Sequence, residues 1–435
     1  MTAPPRPPGP QGARLLLELP RVRQGVLPYL AGLSRRYPDP LLLLQFGPGA
    51  TYLPNHPDVL REMLVQIPER FVRSRWWGEL LHVVGEGLLT SDEEAWVPQR
   101  RRLNPAYRGS HGDVVDQATR DETAAVAARW RARPGATVDV QEDVKRTLLR
   151  ALVRIMFTPD ATVDERQIIA DLDVILQHVS FRSQVLRHGL AHLGLTRWGQ
   201  ARLQGAIQRL DAVIHDLVDG CRSGRYASGL LLATLLPAEA RGEVDARNLH
   251  DEIGTLLLAG FDTTAALVTF ALWNLAERPD LADTVGDEAD RAERPITEQV
   301  LRETLRLYPA VWAIHRTAAE PIELGGYAIP KGEHVMACPY AVQRNPAYWP
   351  DPDRFVPERF ADAHPNDALL GFEYLPFSHG RHTCIGKRMA LQQARLMVGT
   401  LVSAFRLDRV GGPPRLLPGV ILKAAGGLPM RVTPR

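Results

Sequence analysis

The stretch from Asn248 to Arg278 is apolar over most of its length and ends at Pro279. A helix of that composition has no hydrophilic face to offer solvent, so it must be wrapped by other elements. The preceding sequence supplies them. Most of Asp113 to Arg278 is helically patterned, with interruptions at Pro134-Gly135, Pro159-Asp160 and Pro237. The chain is therefore expected to be built around one central helix. No uninterrupted apolar run approaches the roughly 18–20 residues that span a bilayer.

The two ends read differently. MTAPPRPPGP, with five prolines in ten residues, predicts an extended lead-in and neither a signal peptide nor an anchor. Leu41–Asn55 holds two apolar runs around Gly47-Pro48-Gly49, a strand-turn-strand pattern, and a helix is expected from His56. IELGGYAIP (322–330) and HVMAC (334–338) predict short strands. Asn345–Phe360 is irregular and too long for an idle loop. A last helix is expected over Ile385–Phe405, followed by broken strands. No repeat or linker divides the chain, so one mainly α domain over 1–435 is expected. Its small β-rich lobe would come mainly from 20–60 and 310–345, and its helical body mainly from 75–309 and 385–406.

With 52 basic and 50 acidic residues, the net charge of +2 argues against nucleic acid as a partner. Only Lys145, Lys331, Lys387 and Lys423 are lysines, and the other 48 basic residues are arginines. Three cysteines, Cys221, Cys338 and Cys384, make no disulfide framework and suit a reducing, cytoplasmic setting.

Cys384 stands in Phe377-Ser-His-Gly-Arg-His-Thr-Cys-Ile-Gly386, just ahead of a helix whose N–H groups favour a thiolate. Gly380 and Gly386 clear side chains on either side. An anionic sulfur with glycine clearance suits a single axial ligand to haem iron. A buried structural cysteine in a turn is the plain alternative. Zinc is disfavoured because no second cysteine lies nearby.

This segment resembles the haem-binding loop of cytochromes P450, Phe-x-x-Gly-x-x-x-Cys-x-Gly, at every fixed position. Three further segments resemble that family in the same order along the chain. Glu303-Thr-Leu-Arg306 resembles its Glu-x-x-Arg, and Phe355-Val-Pro-Glu-Arg359-Phe its third partner, which implies a buried structural triad of Glu303, Arg306 and Arg359. Ala259-Gly260-Phe-Asp262-Thr263-Thr264 resembles the oxygen groove. There Gly260 opens the helix wall, Thr263 hydrogen-bonds dioxygen and Asp262 relays protons. On the residues of this segment alone, a packing notch with locally satisfied polar groups is the preferred reading. Trp96 and Arg100, on a helix near 96–106 with Pro98 in its first turn, resemble a haem-propionate contact, as do Arg316 and His382. One departure is Gln393, where the family often carries glutamate.

The resemblance implies a haem-thiolate monooxygenase that binds haem b (iron protoporphyrin IX) through Cys384. It would insert one oxygen atom of O2 into a C–H bond. Electrons would come from a ferredoxin or flavodoxin and its NAD(P)H-dependent reductase, because the 51 residues after Cys384 resemble no redox module. Arg101, Arg102, Arg381, Lys387 and Arg388 would suit an acidic partner, or are merely solvated charges. Family position places a distal pocket at 76–92, 174–195, 311–314 and 420–422, beside Ala259. Trp76, Trp77, Val311, Trp312, Val420 and Ile421 make it largely apolar. The expected substrate is a lipophilic small molecule, an isoprenoid or carotenoid, and the expected state a monomer without a transmembrane anchor. Two rivals remain: a peroxide-driven fatty-acid hydroxylase of the same fold, and a non-catalytic haem sensor or carrier.

Overall fold

The computed structural model describes residues 6–46, 49–74, 78–108, 111–180, 200–361 and 371–435. Two compact units divide the chain: Met1–Arg75 with Arg302–Cys384, and Trp76–Leu301 with Ile385–Arg435.

The first unit is built on a five-stranded sheet. Its strands, in spatial order, are Leu41–Phe46, Gly49–Pro54, His334–Ala337, Ile314–Ala318 and Phe71–Arg73. Leu41–Phe46 and Gly49–Pro54 pair antiparallel, as the apolar runs around the glycines predict. Gly49–Pro54 then takes His334–Ala337 as a parallel neighbour, a pairing that links residues far apart in sequence. Leu41, Leu60, Met63, Leu324 and Val335 form the core against it. The hairpin Ile322–Leu324/Tyr327–Ile329 turns on Gly325 and Gly326, at φ 56° and 81°. Two successive positive φ values are what a twist-matched two-residue hairpin needs.

The N-terminal expectation needs correction. After a short extended stretch, in which Leu43 N–H donates to Pro8 O, the chain forms helices Ala13–Gln24 and Val26–Arg36. Residues 20–24 and 26–36 of the expected β lobe are therefore helical. Pro20 sits inside the first of these helices and Pro28 near the start of the second, so neither proline marks the boundary it suggests in sequence.

The second unit is mostly helix. Gly112–Arg131, Val140–Leu152, Glu165–Val179, Gln200–Arg222, Leu230–Ala240 and Lys387–Ala404 accompany the apolar stretch. Asp139, Asp164 and Asp245 each cap a helix by accepting the backbone N–H three residues on. A three-stranded sheet, Thr137–Asp139, Pro429–Pro434 and Phe405–Arg409, joins the chain's end to this unit. The hairpin Leu416–Pro418/Leu422–Ala424 lies just before that last strand.

The central helix is not continuous. It runs as Ala246–Ala259 and Asp262–Leu275, with Gly260 and Phe261 between. Across 246–275 it is long and apolar enough to cross a membrane by composition, contrary to the sequence expectation, but 78% of its most apolar window is buried inside the protein. Every residue of Asp262–Leu275 is buried except Thr263. It is a core helix.

Candidate active site

In the first unit, the helix Pro295–Leu307 brings Glu303 and Arg306 to the same face at i, i+3. Both side chains are fully buried. Arg306 Nε donates to Glu303 Oε2 at 2.7 Å and Nη2 to Oε1 at 2.8 Å. A guanidinium removed from water this completely must satisfy its other donors too. It does so on the irregular segment, reaching the carbonyls of Gln343 (2.8 Å), Pro352 (2.7 Å) and Arg354 (3.0 Å), while Val356 N–H donates to Glu303 Oε1. Arg359 stands apart from this tight pair. Its Nε lies 3.5 Å from Glu303 Oε1, its side chain keeps 14% exposure, and its Nη2 donates to Asp351 O.

Sequence reading missed Gln343, which is fully buried. Its Nε2 donates to the carbonyls of Leu305 and Arg306, and its Oε1 accepts from Leu375 N–H at 2.7 Å. It thus joins the end of the Glu303 helix to the segment leading into the cysteine loop. Tyr374 adds a second tie through its hydroxyl, which donates to Arg302 O. Only a lone glutamine in sequence marks this position.

The loop itself is held by its backbone. Cys384 N–H donates to Phe377 O at 3.0 Å, and Thr383 N–H to Gly380 O at 3.1 Å. Ser378 and Gly380 both take positive φ, 59° and 73°. A β-carbon at Gly380 would lie 2.2 Å from Leu64 O, so glycine is required there twice over. Cys384 is exposed, and Gly386 stands at the N-cap of Lys387–Ala404. The other two cysteines are poor thiolates: burial pushes the Cys338 thiol up to about 12 and raises that of Cys221 as well.

Among the candidate propionate contacts, Arg316 lies on the strand Ile314–Ala318 and donates to His315 O, and half-buried His382 closes the turn Gly380–His382. Trp96 and Arg100 share the helix Glu93–Leu103, with the Arg100 guanidinium 5.9 Å from the Trp96 ring centre. That helix starts earlier than its sequence suggests, so Pro98 falls in its second turn and removes one interior N–H. Gln393 is buried, with its Nε2 unpartnered.

In the second unit, Thr263 Oγ1 donates to Ala259 O at 3.0 Å, satisfying a carbonyl at the end of one half-helix. A β-carbon at Gly260 would lie 2.7 Å from Leu256 O and 2.9 Å from Leu152 Cδ2, so the space beside the glycine is filled by Leu152. Asp262 has 4% side-chain exposure. It is met by Lys423 Nζ at 2.6 Å and Lys145 Nζ at 3.8 Å, partners that sequence reading did not find. Of the pocket candidates, Trp312 and Ile421 are buried, Ala259 and Val420 half-buried, and Val311 is 37% exposed. Trp76 and Trp77 lie outside the described residues.

The donor set fits a haem. The exposed Cys384 thiol, two residues ahead of the N-cap of Lys387–Ala404, offers the single sulfur ligand that a haem iron takes from the chain. A mainly helical chain with one exposed thiol, held by a glycine-shaped loop ahead of a helix, is what a haem-thiolate protein requires.

Comparison with known proteins agrees. The sequence profile of the family described as Cytochrome P450 matches residues 7–427. Cyclooctat-9-en-7-ol 5-monooxygenase of Streptomyces melanosporofaciens is 30% identical over 91% of this chain and 88% of its own length. Pentalenene oxygenase of Streptomyces avermitilis is 26% identical over 84% of each. The crystal structure of a cytochrome P450 from Thermus thermophilus superposes with a TM-score of 0.79 over 97% of this chain and 99% of that one, at 24% identity. The chain belongs to the cytochrome P450 family. It is a haem-thiolate oxidoreductase that uses O2 as a monooxygenase.

Proposed function

We propose that this monooxygenase hydroxylates a terpenoid, an isoprenoid hydrocarbon or alcohol, at an unactivated C–H bond. The observation that carries this reading is the 30% identity over 91% of the chain to an enzyme whose name gives an oxygenation of cyclooctat-9-en-7-ol. Pentalenene oxygenase, at 26%, is named for another terpene.

Cys384 would hold the iron of haem b, Trp96, Arg100, Arg316 and His382 would serve its propionates, and Phe377, Gly380 and Gly386 would shape the loop. When bound, that group would supply the chemistry of dioxygen activation and oxygen-atom transfer to carbon. The chain's own residues do the rest. The Glu303–Arg306 pair, with Arg359 and Gln343, anchors the loop so that the cysteine sulfur keeps a fixed direction. Thr263 presents its hydroxyl from the one unburied position of its half-helix, and Asp262 supplies protons to it. A ferredoxin is the proposed electron donor, drawn to exposed Arg101, Arg381 and Arg388.

The test is a panel of sesquiterpene and diterpene hydrocarbons and alcohols, carotenoids and fatty acids, added to the haem-loaded protein. The proposal expects terpenoids to shift the Soret band and to yield a mono-oxygenated product with surrogate ferredoxin and reductase. A shift and product with fatty acids alone would overturn it.

A further inference from the structure

Asp262 does not act alone. Four charged side chains from four separate elements meet around it: Lys145 on Val140–Leu152, Asp173 on Glu165–Val179, Asp262 at the start of Asp262–Leu275, and Lys423 on the strand Leu422–Ala424. Lys423 Nζ reaches Asp262 Oδ2 at 2.6 Å and Asp173 Oδ1 at 2.8 Å. Lys145 Nζ reaches Asp173 Oδ2 at 3.2 Å and Asp262 Oδ1 at 3.8 Å. Charges alternate around this ring, and exposure grades across it, with side chains of Asp262 at 4%, Lys423 at 16% and Asp173 at 37%.

Two features say that the ring is a built device. The chain has four lysines and 48 arginines, yet two of the four lysines are here. Each of these two ammonium groups reaches both carboxylates, so neither carboxylate is left without a counter-charge. Lys423 also comes from the hairpin whose turn carries the pocket candidates Val420 and Ile421. Its strand is fixed to the helical body by Gln141, which exchanges two hydrogen bonds with the Ala424 backbone.

We propose that Lys423 is a positioning residue for oxygen activation: it holds Asp262 in the orientation from which that acid serves Thr263, with Lys145 and Asp173 completing the ring. This rests on the role assigned above to Asp262. Burial alone would push Lys423 towards its neutral form, but Asp262 and Asp173 outweigh burial and hold it above its ordinary value. Lys145 and Lys423 likewise overcome the burial of Asp173 and keep it low. Lys423 therefore stays charged and acts through its ion pair. Productive turnover consumes substrate RH, O2, two electrons and two protons and yields ROH and water. When the acid is misplaced, the same electrons and protons leave with O2 as hydrogen peroxide.

The test compares wild type, Lys423→Met and Lys423→Arg as haem-loaded proteins with a surrogate ferredoxin chain. Three quantities are read: nicotinamide consumption with and without substrate, the fraction of electrons recovered as product, and the substrate concentration that half-saturates the Soret shift. Lys423→Met should slow consumption about tenfold, a modest share of what general acid–base catalysis contributes. It should also raise peroxide, and it should leave half-saturation within about twofold. Lys423→Arg should recover most of the rate. Unchanged consumption and coupling in Lys423→Met would overturn the proposal, as would a change confined to half-saturation. An arginine variant no better than methionine would overturn its electrostatic basis. If no terpenoid is turned over by wild type, the proposed substrate class fails. Consumption without substrate, which also draws two protons per O2, still decides the role of Lys423.

Discussion

Glu303 and Arg306 show how much can rest on one pair of side chains. Neither reaches solvent, and each donor of the guanidinium that is described ends on Glu303 or on a carbonyl of 343–354. Glu303→Ala would leave a buried guanidinium without its counter-charge, a loss of about 3–5 kcal/mol. Against a typical stability of about 5–15 kcal/mol that is a large share. The variant is expected to unfold at clearly lower urea and to purify with little haem, and normal values of both would contradict the assignment. A second residue-scale prediction concerns two histidines. His315 Nδ1 lies 3.0 Å from His334 Nε2 with the rings stacked, and His334 Nδ1 lies 3.2 Å from Thr51 Oγ1. Burial, then His334 and Arg316, pushes His315 down to about 3, and burial pushes His334 down to about 4. In the unfolded chain both titrate near 6.5, so as pH falls below 6.5 the unfolded state binds protons that the folded state refuses. The stabilisation is whole above 6.5 and is lost as pH falls towards 4, by at most about 1.4 kcal/mol per pH unit for each ring. Unfolding midpoints measured across that window should drop more steeply for wild type than for His315→Gln/His334→Gln. Parallel curves would show that the pair does not resist protonation.

At the scale of elements, the central helix carries the chemistry at its break. Gly260 and Phe261 separate two half-helices, and the Thr263 hydroxyl spans the gap to Ala259 O. That bond uses the hydroxyl hydrogen and leaves the oxygen lone pairs as acceptors. Thr263→Ala is expected to retain haem content, the ferrous–CO spectrum and the substrate-induced shift, while product per nicotinamide falls several-fold and peroxide rises. Thr263→Ser should behave like wild type. A small stability change with unaltered coupling would mean that the hydroxyl serves only its helix. The cysteine loop and the Glu-x-x-Arg helix were legible in sequence because their constraints are local: a glycine where φ must be positive, and an acid and a base one turn apart. The break in the central helix was not, since 248–278 is apolar on both sides of it and only packing against Leu152 shows why residue 260 is glycine. Helices Ala13–Gln24 and Val26–Arg36 were hidden by prolines that are tolerated within them.

At the scale of the whole molecule, what sequence concealed is what long-range pairing builds. Gly49–Pro54 finds His334–Ala337 across most of the chain, and Gln343 finds Leu375 through a side chain that no motif singles out. Asp262 finds Lys145 and Lys423 from opposite directions, so a residue read as a lone acid in an apolar helix belongs to a ring of four charges. The chemistry assigned to this chain nonetheless depends on one atom, the sulfur of Cys384. The most direct test is the ferrous–CO difference spectrum of the purified protein beside that of Cys384→His. The account predicts the red-shifted Soret band of a thiolate-ligated haem in wild type, and in Cys384→His a band at the shorter wavelength of imidazole ligation, with some haem retained. A thiolate band that survives in Cys384→His, or is absent from haem-loaded wild type, would contradict it.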